Sequence, residues 1–235
     1  ICRVLKNKIK LFDVVVDDAE KEATMTVLNS KFWASGSGMG NVNKFENKFK
    51  NYIQSNACVA VNSGTAALNL ALSLFDIKNK EVILPSLSFV STAHCVVENG
   101  GIPVFVDIDS ETLCIDPEKI KQAISKNTTA ILPVHFGGMP CNLKKIHKLA
   151  KNHNLNIIED AAHAVGTIQD NKKIGSHSSI VCFSFHPVKN LAMPNGGLIS
   201  INHPKHEKFR KQLLARRWCG ITNRKNSDYD VKELG

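Results

Sequence analysis

The amino-acid sequence predicts an α/β protein, a largely parallel sheet of about seven strands covered by helices, and three observations predict it. From about residue 57, short β-branched or apolar runs alternate with stretches of helical spacing, the pattern of βαβ units. The helical stretches open on well-formed start signals. The hydrophobic content of 43% over 235 residues supplies a real core for one large domain, or somewhat more.

The elements follow in order. Residues 13–55 precede the alternation and suggest two helices, about 17–29 and 43–54, around a Gly-rich loop, ASGSGMG (34–40). The first strand is ACVAV (57–61), and TAALNLALSLF follows it with helical spacing. EVILP (81–85) leads into FVSTAHCVVENG, and IPVFVDI (102–108) leads into PEKIKQAI. That helix has Asp116 as N-cap and Pro117 at its first position, where the missing N–H costs nothing. TAILPV (129–134) is followed by NLKKIHKLAKNHN, a basic amphipathic run begun at Asn142. LNIIED (155–160), IVCFSF (180–185) and GLISI (197–201) complete the seven runs. A basic helix, PKHEKFRKQLLARRW, and a polar tail ending in VKELG come last.

Composition narrows the function. No run of about 18 apolar residues is present, so no segment reads as a membrane span. The start, ICRVLKNKIKLFDVVV, lacks a long apolar stretch, a cleavage site and an initiator Met, and reads as an internal start rather than a signal peptide. Seven scattered cysteines without a CxxC pair argue for a reducing, cytoplasmic setting. Nine histidines show no ligand spacing, so no metal is expected. The net charge of +9 sits at the two ends of the chain and the middle is near neutral. With only 6% aromatic residues, that reads as a lysine-rich solvated surface rather than a nucleic-acid stripe.

Ligands of open α/β sheets bind outside the carboxyl ends of the strands, and three such ends carry chemistry. In VAVNSGTAALNLAL a strand runs through Asn62, Ser63, Gly64 and Thr65 directly into a helix. Gly64 allows close approach of an anion, the helix N-terminus offers N–H groups, and the Thr65 hydroxyl adds a donor. An ordinary Ser/Thr cap explains the same residues. In NIIEDAAHAVG, Glu159 and Asp160 end an apolar strand and face opposite ways, so their roles differ, and His163 follows in the turn. In FSFHPVKN, Ser184 and Lys189 straddle a turn made by His186 and Pro187. A lysine desolvated beside a buried strand has a lowered pKa, and its neutral amine can form a Schiff base.

A phosphate cradle, a buried carboxylate and a nucleophilic lysine together select pyridoxal 5′-phosphate, with the carboxylate keeping the pyridine nitrogen protonated. Phe89, after EVILPS, is placed either to stack on a planar cofactor or to fill the core. GSGMG departs from a dinucleotide loop and follows no strand, and Ser184 with His186 lacks a hydrolase elbow.

The ordered motifs KFWASGSGMGNVNKFENKF, AVNSGTAALNLAL, EVILPSLSFVSTAH, GGIPVFVDIDSETLCIDPEKI, ILPVHFGG, IIEDAAHAVG, CFSFHPVKN, RRWCGI and YDVKELG resemble the pyridoxal-phosphate-dependent sugar aminotransferases of the DegT/DnrJ/StrS type. The resemblance covers nearly the whole chain. It implies a three-layer α/β/α large domain with a mostly parallel mixed sheet. It also implies a division into an N-terminal segment (1–56), a cofactor-binding large domain (57–203) and, over 204–235, a helix and the start of a small C-terminal domain that the chain does not continue.

By motif, Lys189 would hold the cofactor and shuttle the proton, and Asp160 would pair with the pyridinium nitrogen. Ser63, Gly64, Thr65 and Ser184 would hold the phosphate, Phe89 would stack on the ring, and His163 would lie near the cofactor's hydroxyl. The family moves an amino group from an amino acid, usually glutamate, to a nucleotide-diphosphate keto-sugar, in a homodimer whose active site is shared. LAMPNGG stands where many members have a GEGG-like turn, which leaves the sugar open. Two alternatives on the same fold are a sugar dehydratase, in which histidine replaces the lysine, and a non-catalytic regulator. Lys189 argues against the first, and Lys189 together with Asp160 against the second.

Overall fold

The structure, a computed structural model, describes residues 10, 12–33, 40–225 and 228–231. Helices α1 (Asp18–Ser30) and α2 (Asn41–Ile53) come first. α1 begins at a capping box: Asp17 accepts from the Ala19 N–H and Glu20 accepts from the Asp17 N–H. In ASGSGMG, Gly40 starts α2 at φ 72°, a conformation glycine adopts freely, while residues 34–39 lie outside the described residues. The last four residues of VKELG also lie outside them.

The expected sheet of seven strands is present. Its order is β1 (Ala57–Val61), β9 (Gly197–Ile201), β8 (Ile180–Ser184), β5 (Asn156–Asp160), β4 (Thr128–Ile131), β2 (Glu81–Pro85) and β3 (Ile102–Val106). β8, β5, β4, β2 and β3 pair in parallel, whereas β9 runs antiparallel to both β1 and β8. The sheet is therefore mixed but mostly parallel. Its reversal has a simple cause: the link from β8 to β9 contains no helix, and a parallel return would need a crossover.

Side chains alternate between two cores. Val82 and Leu84, Ala130 and Leu132, Ile180 and Cys182 point to one face, which is covered by α3 (Gly64–Leu72), α4 (Val90–Glu98) and α7 (His206–Arg216). Ile83, Ile131, Val181 and Phe183 point to the other, against α2, α5 (Pro117–Ala123) and α6 (Leu143–His153). Both faces are thus buried, which makes three layers, and each fully buried Ile, Leu or Phe contributes about 1.5–3 kcal/mol. The caps expected at Asp116 and Asn142 are in place, accepting from the Glu118 and Lys145 N–H groups.

Four strand runs are shorter than the sequence suggested: β3 ends at Val106, β4 at Ile131 and β8 at Ser184, and β5 begins at Asn156. Two small hairpins were not foreseen. β6 (Ile168–Gln169) pairs with β7 (Lys172–Lys173), and the polar tail folds as β10 (Ile221–Lys225) against β11 (Asp228–Val231).

Candidate active site

The carboxyl ends of β1, β5 and β8 meet at one cleft of about 300 Å3. At the first, Ser63 caps α3 by accepting from the Ala66 N–H at 3.0 Å, so its side chain does what an ordinary cap does. The next N–H groups of the first turn have no acceptor within the helix, which leaves a positive end facing the cleft. Gly64 is required by contact: a Cβ there would lie 2.6 Å from the Cβ of Ser184. Gly197 is required in the same way, since a Cβ would run into the Ser63 carbonyl. The first turn of α3 is thereby pressed against β8 and β9.

At the second end, Glu159 and Asp160 do face opposite ways. Glu159 is fully buried on the α6 side, 2.9 Å from His135 Nε2, and His135 accepts the Cys141 N–H on its other nitrogen. Asp160 points to the α4 side. Its Oδ2 accepts from the Thr92 hydroxyl at 2.9 Å, and its Oδ1 accepts from the Ala162 N–H at 3.1 Å. Thr92 is fully buried and accepts in turn from Ser88 at 2.7 Å.

At the third end, the Lys189 N–H closes a turn onto the His186 carbonyl, which points the side chain back over the strand ends. Its Nζ lies 2.8 Å from His163 Nε2. Burial lowers the Lys189 amine from its ordinary value, and the charge of Asp160 opposes the shift. His163 is lowered as well, first by burial and then by Lys189, again against Asp160. Its Nδ1 accepts from the Gly137 N–H at 3.2 Å, and Phe136 stands edge-on to the ring.

All eight residues singled out in the sequence line this cleft: Ser63, Gly64, Thr65, Phe89, Asp160, His163, Ser184 and Lys189. Phe89 is 73% exposed, which removes the core-filling alternative. Sequence reasoning missed Thr92, Gly137 and Asn195. Asn195 belongs to the LAMPNGG stretch and faces the cleft, while Met193 of the same stretch packs on the second core. A hydroxyl one helical turn past Phe89 was the available signal for Thr92, and the PVHFGG turn was the signal for Gly137.

Residues 15–235 match the DegT/DnrJ/EryC1/StrS aminotransferase family. The spore coat polysaccharide biosynthesis protein SpsC of Bacillus subtilis is 46% identical over 200 residues, which is 83% of this chain and 51% of SpsC. PseC of Helicobacter pylori, an aminotransferase of pseudoaminic acid biosynthesis, superposes with a TM-score of 0.88 at 27% identity, covering 97% of this chain and 61% of PseC. The PLP-form of the putative sugar aminotransferase Spr1654 of Streptococcus pneumoniae gives a TM-score of 0.88 at 25% identity, covering 97% of this chain and 62% of that one. The chain spans about half the length of the curated relatives it matches.

Proposed function

The chain belongs to the DegT/DnrJ/EryC1/StrS aminotransferase family, and from that premise we propose that it carries the cofactor site of a pyridoxal-phosphate-dependent sugar aminotransferase. The reaction moves an amino group from an amino acid, glutamate being the expected donor, to a nucleotide-linked keto-sugar. The observation that carries the reading is the half-buried Lys189 amine in one cleft with the Asp160 carboxylate and the first turn of α3.

The residues present fit the cofactor. Gly64 and Gly197 leave no room for side chains where the α3 amides meet Ser184, which favours a close-bound phosphate. Asp160, fixed by two hydrogen bonds, offers an acceptor to a protonated ring nitrogen. Phe89 offers an exposed aromatic face at the cleft rim. The cleft volume lies at the small end of ligand pockets, in keeping with one cofactor-sized molecule.

When bound, the cofactor supplies an aldehyde that carries the amino group and a ring that withdraws electrons. The chain does the rest. The first-turn amides, Thr65 and Ser184 take the phosphate. Lys189 would hold the cofactor through Nζ, and its amine would take and return the proton at the substrate carbon. His163 would lie near the cofactor's hydroxyl. Residues 57–203 form the cofactor-binding domain in this reading.

The active site is completed by a second copy, a view supported by apolar side chains of α1 and its flanks that stand exposed. Val15 is 87% and Trp33 69% exposed, and the groove along α1 reaches Pro187 and Met193 of the lysine loop.

Borohydride reduction of the cofactor-loaded protein, followed by peptide mapping, tests the anchor. The label is expected on the peptide containing Lys189 and absent in Lys189→Ala. A label elsewhere, or none on folded protein, sinks the reading. Assay against a panel of nucleotide keto-sugars with glutamate then reads the substrate.

A further inference from the structure

We propose that His163 is held in one protonation state, the neutral ring with its proton on Nε2, and that it donates this proton to a neutral Lys189 amine. His163 is then a positioning residue for the Lys189 lone pair. The meaning of this for catalysis rests on the reading of Lys189 as cofactor anchor. The geometry stands without it.

The argument is one of hydrogen-bond bookkeeping around a single ring. A backbone N–H can only donate, so the Gly137 N–H at 3.2 Å requires Nδ1 of His163 to be bare. That requirement excludes the imidazolium and the Nδ1–H tautomer, because both would set two protons against each other. The neutral ring must therefore carry its proton on Nε2, the nitrogen 2.8 Å from Lys189 Nζ. An ammonium has three N–H groups and no lone pair, so it cannot accept from Nε2–H. The contact is satisfied when Lys189 is the free amine, the form that attacks a carbonyl carbon.

The donor is built into the fold. Gly137 sits at φ 59° and Gly138 at φ 87°, in the left-handed region that glycine adopts without strain. The turn is pinned to the His163 segment from its other side: Thr167 donates to the Gly138 carbonyl at 2.9 Å, and a Cβ on Gly138 would lie 3.1 Å from the His163 carbonyl. Phe136 stands edge-on to the ring, 6.0 Å between centroids. The other titratable groups of the cleft are Asp160 from β5, Cys182 from β8 and His186 from the lysine turn. Asp160 favours the charged form of both partners, so the Gly137 contact acts against it. Burial of the pair acts in the same sense as the Gly137 contact.

The direct test is a long-range 1H–15N correlation spectrum of the full chain labelled at histidine, recorded before cofactor is added. The His163 signals are identified by their loss in His163→Gln. A bare Nδ1 and a protonated Nε2 are expected from pH ~8 down to ~6. Protonation of Nδ1, or of both nitrogens, within that window overturns the proposal.

A second measurement reads Lys189. Its reductive alkylation by a small aldehyde, followed by peptide mass spectrometry, should slow about 2- to 10-fold at neutral pH in His163→Leu, with the pH profile displaced upward. His163→Gln, whose amide can donate from the same place, should restore most of the rate. An unchanged profile in His163→Leu overturns the proposal. Should that variant not fold, the spectrum of the unaltered chain still decides. The two readings fail separately. An Nε2–H ring with no cofactor at Lys189 removes the aminotransferase reading only, and a loaded Lys189 beside an Nδ1–H ring removes this one only.

Discussion

Thr92 carries no charge and makes no contact with solvent, yet the orientation of Asp160 depends on it. The buried hydroxyl donates to Oδ2 while Ser88 supplies the hydroxyl's own acceptor site with a proton. Thr92→Val keeps the shape and removes the donor, leaving a buried carboxylate oxygen short of a partner. A hydrogen bond to a charged group is worth about 1.5–3 kcal/mol, so cofactor affinity should fall by roughly 10-fold or more. Titration of the cofactor absorbance measures it, and Thr92→Ser should recover most of the loss. Equal affinity for Thr92→Val and the unaltered chain would show that Asp160 needs no such support. The lysine, the aspartate and the Ser-Gly-Thr turn of the cleft were legible because such residues are unusual at the ends of apolar strands. Thr92 was not, because a threonine in the first turn of a helix is ordinary, and only the fold brings it across 68 residues to Asp160. The scattered cysteines likewise concealed that Cys114 and Cys141 meet. Their contact is the chief reason the Cys114 thiol falls to about 7, and it competes for the thiol protons with the Met139 and Val134 carbonyls, which lie 3.3 Å and 3.2 Å from the two sulfurs.

At the scale of elements, the junction of β1, α3, β8 and β9 decides whether the cleft exists. Gly197 pairs with Val61 on one side and Ser184 on the other, with the Ser63 carbonyl directly over it. The atoms a new Cβ would strike belong to backbone, so they cannot rotate away as a side chain could. Gly197→Ala should therefore lower stability by about 1–3 kcal/mol, read from the denaturant midpoint, and weaken phosphate binding at the same time. Unchanged stability would mean that β9 can slide relative to α3. The seven strand runs were legible because their apolar residues are contiguous and helices separate most of them. The hairpins were not. β6 and β7 are two residues each and join through Asp170 and Asn171, both at positive φ, so turn chemistry rather than hydrophobic pattern makes them.

Over the whole molecule, burial acts on three histidines, His147 and His203 beside one groove and His163 in the cleft, and the consequence is a shared response to acid. His147 on α6 lies 2.7 Å from the Ser178 hydroxyl, His163 lies in the cleft, and His203 stacks on Phe209 of α7. Each is lowered from 6.5, in every case first by burial. A histidine lowered in the folded state binds its proton more readily once the chain unfolds. Its contribution to stability is thus complete above about 6.5, the unfolded value, and is lost as pH falls toward and through the folded value. The carboxylates of Asp17 and Asp109, lowered mainly by hydrogen bonding with Glu20 and Thr112 respectively, lose theirs only further down, below 3.8. The thermal midpoint should accordingly be flat near pH ~8 and decline between pH ~6.5 and ~5, with net proton uptake on unfolding in that window. His147→Gln should make the decline shallower, by up to one proton in the linkage slope, because its ring is the one held between α6 and the loop before β8. A midpoint that stays level through the window, or an unaltered slope in His147→Gln, would show that these rings take up protons in place and that burial does not govern their charge.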